Sequence, residues 1–388
     1  MDRAAVDGAK GFPIRYLSLE ALLSIAALLV VLAWPWIDAQ LRTVIVLSSL
    51  LETPVVTPVV EAVTEEPRVA DTYVAGNPAL VVRPEGEDKL PALFFVNGVV
   101  TQGRELPEVQ RLAEGLARAG YLVVVPDLPG LRRGEIRPQT VHETVEVAKA
   151  ISERPDARGG KVGLVGVSTG ATLAVLAAEK DELEGRVSVV AGVAPYTDAR
   201  TVLDIATTGY YQKDGRPVRY DADPFLPGVI TQSLVSTLPP SEDRDALLDE
   251  LEEVDRLRPE FLTDLRGMGP EARSVAEFLA NDDPQRFEEL YEGLPEGVRS
   301  KMEELSPLAG DERLSVPVEV ISGPEDKYFP VSESYAIVRI APQARVTVTE
   351  ALDHVEPSSS FRDLPAFLPV NGFMVRSLRA ASQPAQPF

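Results

Sequence analysis

The sequence predicts an α/β fold: a mostly parallel sheet flanked by helices and interrupted by a helical insertion. Three observations carry this. From about residue 69, short β-branched apolar runs alternate with segments of helical period. In "GVSTG", residues 166–170, a serine stands between two glycines where one such run passes into a helix-forming run. The alternation stops near residue 199, gives way to short helical patterns, and resumes at 313.

The amino terminus is different in kind. Residues 16–37, "YLSLEALLSIAALLVVLAWPWI", carry one charge, Glu20, and at helical rise cover a hydrocarbon core. Tyr16, Trp34 and Trp36 stand at interfacial positions. A cleaved signal peptide is the nearest rival, but no A-x-A site follows Ala33. Arg3, Lys10 and Arg15 precede the segment, so the positive-inside rule puts residues 1–15 in the cytoplasm and the remainder outside. The expectation is a single-pass transmembrane anchor. Residues 38–68 are too short and too proline-rich to span again, and read as a linker or as an interfacial segment.

In the core, "ALVVRP", "LPALFFVNG" and "YLVVVPDLPG" read as strands. Between the last two, Val109, Leu112, Ala113, Leu116 and Ala117 have helical spacing, with Gly120 as the stop. Thr140 and Glu143 form a capping-box pattern opening a helix at 141–152. Val162–Val167 is a buried strand, Ala171–Ala178 a helix packed on the sheet, and 186–194 another strand. The core's first part is therefore 69–198. The insertion, 199–312, holds 26 acidic and 12 basic residues, a net −14 of the chain's −22, and reads as a helical cap or lid. The second part, 313–388, has strands in "VPVEVISG" and "ARVTVTEALDH", and its tail from Arg379 is expected to be disordered.

Composition excludes whole classes of function. Sixty acidic against 38 basic residues argue against nucleic-acid binding. With no cysteine there is no disulfide, thiolate metal site or cysteine nucleophile. His142 and His354 are the only histidines, too few for a histidine-rich metal centre, so neither metal nor cofactor is expected.

The chemistry-bearing residues fall at strand ends. Gly166 and Gly170 allow a sharp strand-to-helix turn that lifts the Ser168 hydroxyl into the open, the geometry of a nucleophile elbow. Asp326 lies just past the strand ending at Gly323, and His354 just past the last strand. The chain order is Ser…Asp…His, each at the carboxyl edge where open α/β sheets place ligands. Here "GVSTG", "SPLAG", "GPEDKYFP" and "LDH" together resemble the α/β-hydrolase superfamily over residues 69–388, with its usual cap insertion.

That resemblance implies a serine hydrolase. His354 is the one histidine placed to take the serine proton, since His142 belongs on an exposed helical surface. Asp326 would hold the imidazole tautomer, with Glu325 the next choice and Asp198 a distant third. The oxyanion hole would use the amides of Thr169 and Val99, although the family commonly has His-Gly where this chain has Asn97-Gly98. The expected substrate is a small-molecule or lipid-like carboxylic ester. A lipase, peptidase or acyltransferase could use the same triad, and an anchored non-catalytic binding or scaffold module is the alternative from another class; the sequence leaves assembly into a homo-oligomer open.

Overall fold

A computed structural model of the chain describes residues 19–51, 54–86, 88–253, 267–310, 313–358 and 364–383. Helix α1 (Leu19–Leu51) and the short α2 (Val56–Val63) precede the sheet. The core's first half is β1 (Arg68–Val74), β2 (Asn77–Arg83), β3 (Leu90–Val96), α3 (Pro107–Arg118), β4 (Leu122–Pro126), the single turn α4 (Pro129–Arg132), α5 (Pro138–Ser152), β5 (Ala157–Val167), α6 (Thr169–Ala178) and β6 (Val187–Val193). The insertion contributes α7 (Ala199–Thr208), a hairpin of β7 (Tyr210–Lys213) and β8 (Arg216–Arg219), then α8 (Phe225–Val235), α9 (Glu242–Glu253), α10 (Pro270–Leu279), α11 (Phe287–Glu292) and α12 (Glu296–Glu303). The chain returns through β9 (Val318–Ser322), α13 (Val331–Ala336), β10 (Arg345–Val348), the minimal pair β11 (Leu352–Asp353) and β12 (Glu356–Pro357), and α14 (Leu364–Ser382).

Eight strands form one sheet in the order β1-β2-β4-β3-β5-β6-β9-β10. The β1–β2 and β2–β4 pairs are antiparallel, and the rest are parallel. Parallel pairing brings the carboxyl ends of β5, β9 and β10 to one edge. Alternate residues of the central strands serve opposite faces. Ala92, Phe94 and Val96 pack with α5 and α6, whereas Leu93 and Phe95 pack with α3. Burial on both faces explains why β3 and β4 read as unbroken apolar runs.

Helix α1 does not end at residue 37. It passes through Pro35 and runs on to Leu51, so residues 38–51, read from sequence as linker, are helical and belong to the core. Val46 packs with Phe95, Ala113 and Leu116, and Leu47 with Ala191, Ile321, Val370 and Phe373, which seats the helix between α3 and α14. Close approach needs Gly115, where a β-carbon would stand 2.9 Å from Cβ of Ser49. Arg42 donates to the Ala119 carbonyl at 2.7 Å, a cation at the carboxyl end of α3. The buried Thr43 and Ser48 hydroxyls donate to carbonyls of their own helix, so polar residues can face inward. Among the described residues no helix is long and apolar enough to cross a membrane. Of the expected anchor, residues 16–18 and the side chains of 19–28, 30 and 31 lie outside them.

Other local expectations shift. The helix opened by the Thr140 pattern begins three residues earlier, at Pro138, and the Thr140 hydroxyl instead accepts from the Arg137 amide at 3.3 Å. The tail is helical as far as Ser382, while residues 384–388 lie outside the description. The insertion includes a hairpin as well as helices, and its residues 254–266 and 311–312 lie outside the description.

Seating Leu47 in the core has a measurable consequence. Leu47→Ala is expected to cost about 2–4 kcal/mol, read by thermal unfolding of the detergent-solubilised chain. Leu41→Ala, on the exposed side of α1, is expected to change stability by less than about 0.5 kcal/mol. Equal, small effects would show that α1 is not packed as described.

Candidate active site

The elbow between β5 and α6 is built by close backbone contact. A β-carbon on Gly166 would stand 2.4 Å from the Gly170 carbonyl oxygen, and one on Gly170 would stand 2.2 Å from those of Val96 and Asn97. Both are far inside van der Waals contact, so the first turn of α6 can lie against β3 and β5 only if both positions are glycine. Ser168 absorbs the bend at φ 54° and ψ −129°, a conformation that a residue with a β-carbon rarely adopts. Its amide donates to the Val193 carbonyl at 2.8 Å, which ties the turn to the neighbouring strand. The side chain projects from the amino terminus of α6, whose peptide dipoles favour negative charge there.

Asp326 and His354 meet directly. Oδ2 of Asp326 lies 2.7 Å from Nδ1 of His354, and both residues are buried. A carboxylate can only accept, so Nδ1 carries the proton and Nε2 is left with a free lone pair. The other oxygen, Oδ1, accepts from the amides of Tyr328 at 2.7 Å and Phe329 at 3.0 Å, fixing the carboxylate plane. His354 occupies the turn of the β11–β12 pair at φ 58°. Gly323 makes room for that turn, because a β-carbon there would stand 2.4 Å from the Leu352 carbonyl oxygen. Tyr328 lies against the imidazole with ring centres 4.2 Å apart, and burial pushes its phenol up to about 12, with Asp223 adding to the effect.

The other sequence candidates lie elsewhere. Glu325 is exposed, Asp198 caps α7 by accepting from the Arg200 amide at 2.9 Å, and His142 is exposed on α5. Val99 and Thr169 are neighbours: the Val99 N–H donates to Oγ1 of Thr169 at 3.2 Å. The segment carrying Val99 is pinned by Asp127, at the end of β4. This buried carboxylate accepts from the Arg104 amide at 2.9 Å, from the Arg104 guanidinium, and from Arg132 at 2.7 Å. Gly103, at φ 54°, makes the approach possible.

The insertion is tied to the acid loop. The Tyr220 hydroxyl donates to the Asp326 carbonyl, and the Asp223 amide donates to that of Lys327 at 2.9 Å. A second anchor, Glu333 on α13, had no signal in the sequence. Its Oε2 accepts from the amides of Thr197 and Asp198, each at 2.8 Å, and from the Thr197 hydroxyl at 3.0 Å. This holds the segment where the insertion leaves β6. Burial nevertheless pushes the Glu333 carboxyl above its ordinary range, outweighing those donors.

With this geometry in view, a sequence profile described as the alpha/beta hydrolase family matches residues 93–366. The chain belongs to the alpha/beta hydrolase family. No curated protein sequence matches it. Among solved structures, it is similar to a Pyrococcus horikoshii acylaminoacyl peptidase at 15% identity and a TM-score of 0.47, covering 86% of this chain and 45% of that one. The chain thus spans less than half of that peptidase. A Pyrobaculum calidifontis esterase is similar at 17% identity and a TM-score of 0.45, covering 89% and 94% of the two chains. A Rhodococcus 2-hydroxy-6-oxo-6-phenylhexa-2,4-dienoate hydrolase follows at 20% and 0.42, covering 80% and 99%.

Glu333 gives this alpha/beta hydrolase a pH signature. A carboxyl whose folded-state pKa is raised favours folding below the ordinary carboxylate range, and that contribution is lost as pH rises through the raised value. Melting temperatures of the native chain and Glu333→Gln should therefore diverge as pH rises above the ordinary carboxylate range, the native chain losing more stability. Parallel curves would mean that Glu333 does not contribute this pH dependence.

Proposed function

We propose that the chain is a membrane-anchored serine hydrolase cleaving a carboxylic ester through an acyl-enzyme, with Ser168 as nucleophile, His354 as base and Asp326 as the acid that orients it. The observation that carries this reading is the buried Asp326–His354 pair, at the same sheet edge as a serine held at φ 54°. His354 Nε2 takes the Ser168 proton as Oγ attacks the ester carbonyl. Asp326 stabilises the imidazolium. The imidazolium then protonates the departing alkoxide, leaving an acyl-serine. A water, deprotonated by His354, attacks this acyl group; the bond to Oγ breaks, the carboxylic acid leaves, and the imidazolium returns a proton to Ser168. The amide of Thr169 at the amino terminus of α6, with the turn after β3 packed against it, stabilises the oxyanion in both steps.

Anchoring by residues 16–37 is supported by the surface of the described part of that segment. Leu29, Leu32, Trp34, Trp36 and Ile37 are exposed on α1, an arrangement that suits lipid contact and not water. The basic residues of the amino-terminal tail favour a cytoplasmic tail and an extracytoplasmic hydrolase domain.

The full chain in detergent is expected to react stoichiometrically at Ser168 with a fluorophosphonate probe and to hydrolyse p-nitrophenyl esters. Ser168→Ala should abolish both, and Asp326→Asn should lower kcat by about 10⁴-fold through the wrong tautomer. Lack of labelling in the native chain would favour an anchored binding module. Loss of activity in Glu325→Gln with retention in Asp326→Asn would transfer the acid role to Glu325.

A further inference from the structure

The region around the nucleophile holds a donor that the two-amide scheme does not use. Thr169 is 6% exposed, and its Oγ1 accepts the Val99 N–H. That oxygen lies 3.7 Å from the point where a β-carbon on Gly98 would stand, and the same point is 3.2 Å from Cβ of Ser168. The hydroxyl is therefore beside the nucleophile. A threonine hydroxyl has one proton to donate, and in the side-chain bond it makes here among the described residues it is the acceptor. Asn97, at the end of β3, adds a second case: its buried Nδ2 has no partner among the described residues.

An unmet donor beside the proposed nucleophile implies an acceptor that arrives with the substrate. We propose that the Thr169 side-chain hydroxyl is itself an oxyanion donor, and that the Val99 N–H acts through it instead of reaching the oxyanion directly. The inference rests on the serine-hydrolase reading above. When Ser168 attacks, the carbonyl oxygen gains a full negative charge. The Thr169 N–H and O–H then converge on it, while the Val99 N–H continues to donate to the same hydroxyl. Each bond in the run from Val99 N–H through the hydroxyl to the oxyanion polarises the next. No proton is transferred; the hydroxyl stays protonated throughout. Thr169 is thus a catalytic residue, and Val99 a positioning one.

The test uses the full chain in detergent with p-nitrophenyl butyrate. Thr169→Val keeps the branched shape and removes the hydroxyl, and is expected to lower kcat about 10²–10³-fold with KM little changed. Thr169→Ser should stay within about tenfold of the native rate, since the hydroxyl is restored. Inhibition by phenylboronic acid, which forms a tetrahedral adduct with an oxyanion-like oxygen, should weaken in Thr169→Ala by a factor comparable to its loss in kcat. This second variant stands in if the valine does not fold. An unchanged or raised kcat in Thr169→Val would overturn the proposal, because the Val99 amide would then suffice alone. A native chain that neither hydrolyses esters nor reacts with fluorophosphonate would instead overturn the serine-hydrolase reading.

Discussion

The site depends on how closely the first turn of α6 can approach the sheet. Gly166 and Gly170 meet neighbouring backbone at distances no β-carbon could occupy. Any side chain at either position would lift α6 away from β3 and β5. Ser168 would then lose its positive φ, its bond to Val193 and its place at a helix amino terminus. The same approach brings Thr169 against the turn after β3, where the Val99 amide finds its hydroxyl. The proposed nucleophile and oxyanion donors are therefore set by one packing contact. Natural substitutions there would be felt in geometry before they were felt in stability.

Asp326 and His354, the proposed acid and base, are held by a second set of close contacts. Gly323 admits the β11–β12 turn, two amides fix the Asp326 carboxylate, and the Tyr328 ring covers the imidazole. The insertion joins this set through Tyr220 and Asp223, so movement of the cap would pull on the loop that orients the base. Glu333 secures the other end, where the insertion leaves the sheet. The cap is thus coupled mechanically to the acid loop, apart from any contact it makes with a substrate.

Much of this was legible in the sequence, because it depends on local spacing. Buried parallel strands read as apolar runs, and the elbow glycines and the residues after strand ends could be placed by counting. The failures have physical causes. β1 is exposed along all but its last residue, so no apolar pattern marks it. The β7–β8 hairpin announced itself by Asp214-Gly215, both at positive φ, but lay within an insertion read for helical period alone. Helix α1 outruns the apolar span of residues 16–37, because the polar residues that follow are not an exit from the helix. In fact Thr43 is satisfied within its own helix and Gln40 pairs with Asn371. Glu333 and the Thr169–Val99 bond had no signal at all, since each depends on a tertiary partner far away in the chain.

The central claim is that one packing contact builds both the nucleophile and the hole that stabilises its intermediate. It is tested most directly by a crystal structure of the chain after reaction with a dialkyl fluorophosphate. The account predicts phosphorus bonded to Oγ of Ser168, with the phosphoryl oxygen about 2.7–3.1 Å from the Thr169 amide nitrogen and from Oγ1 of the same residue. A phosphoryl oxygen turned away from Thr169, or an adduct on any other residue, would contradict it.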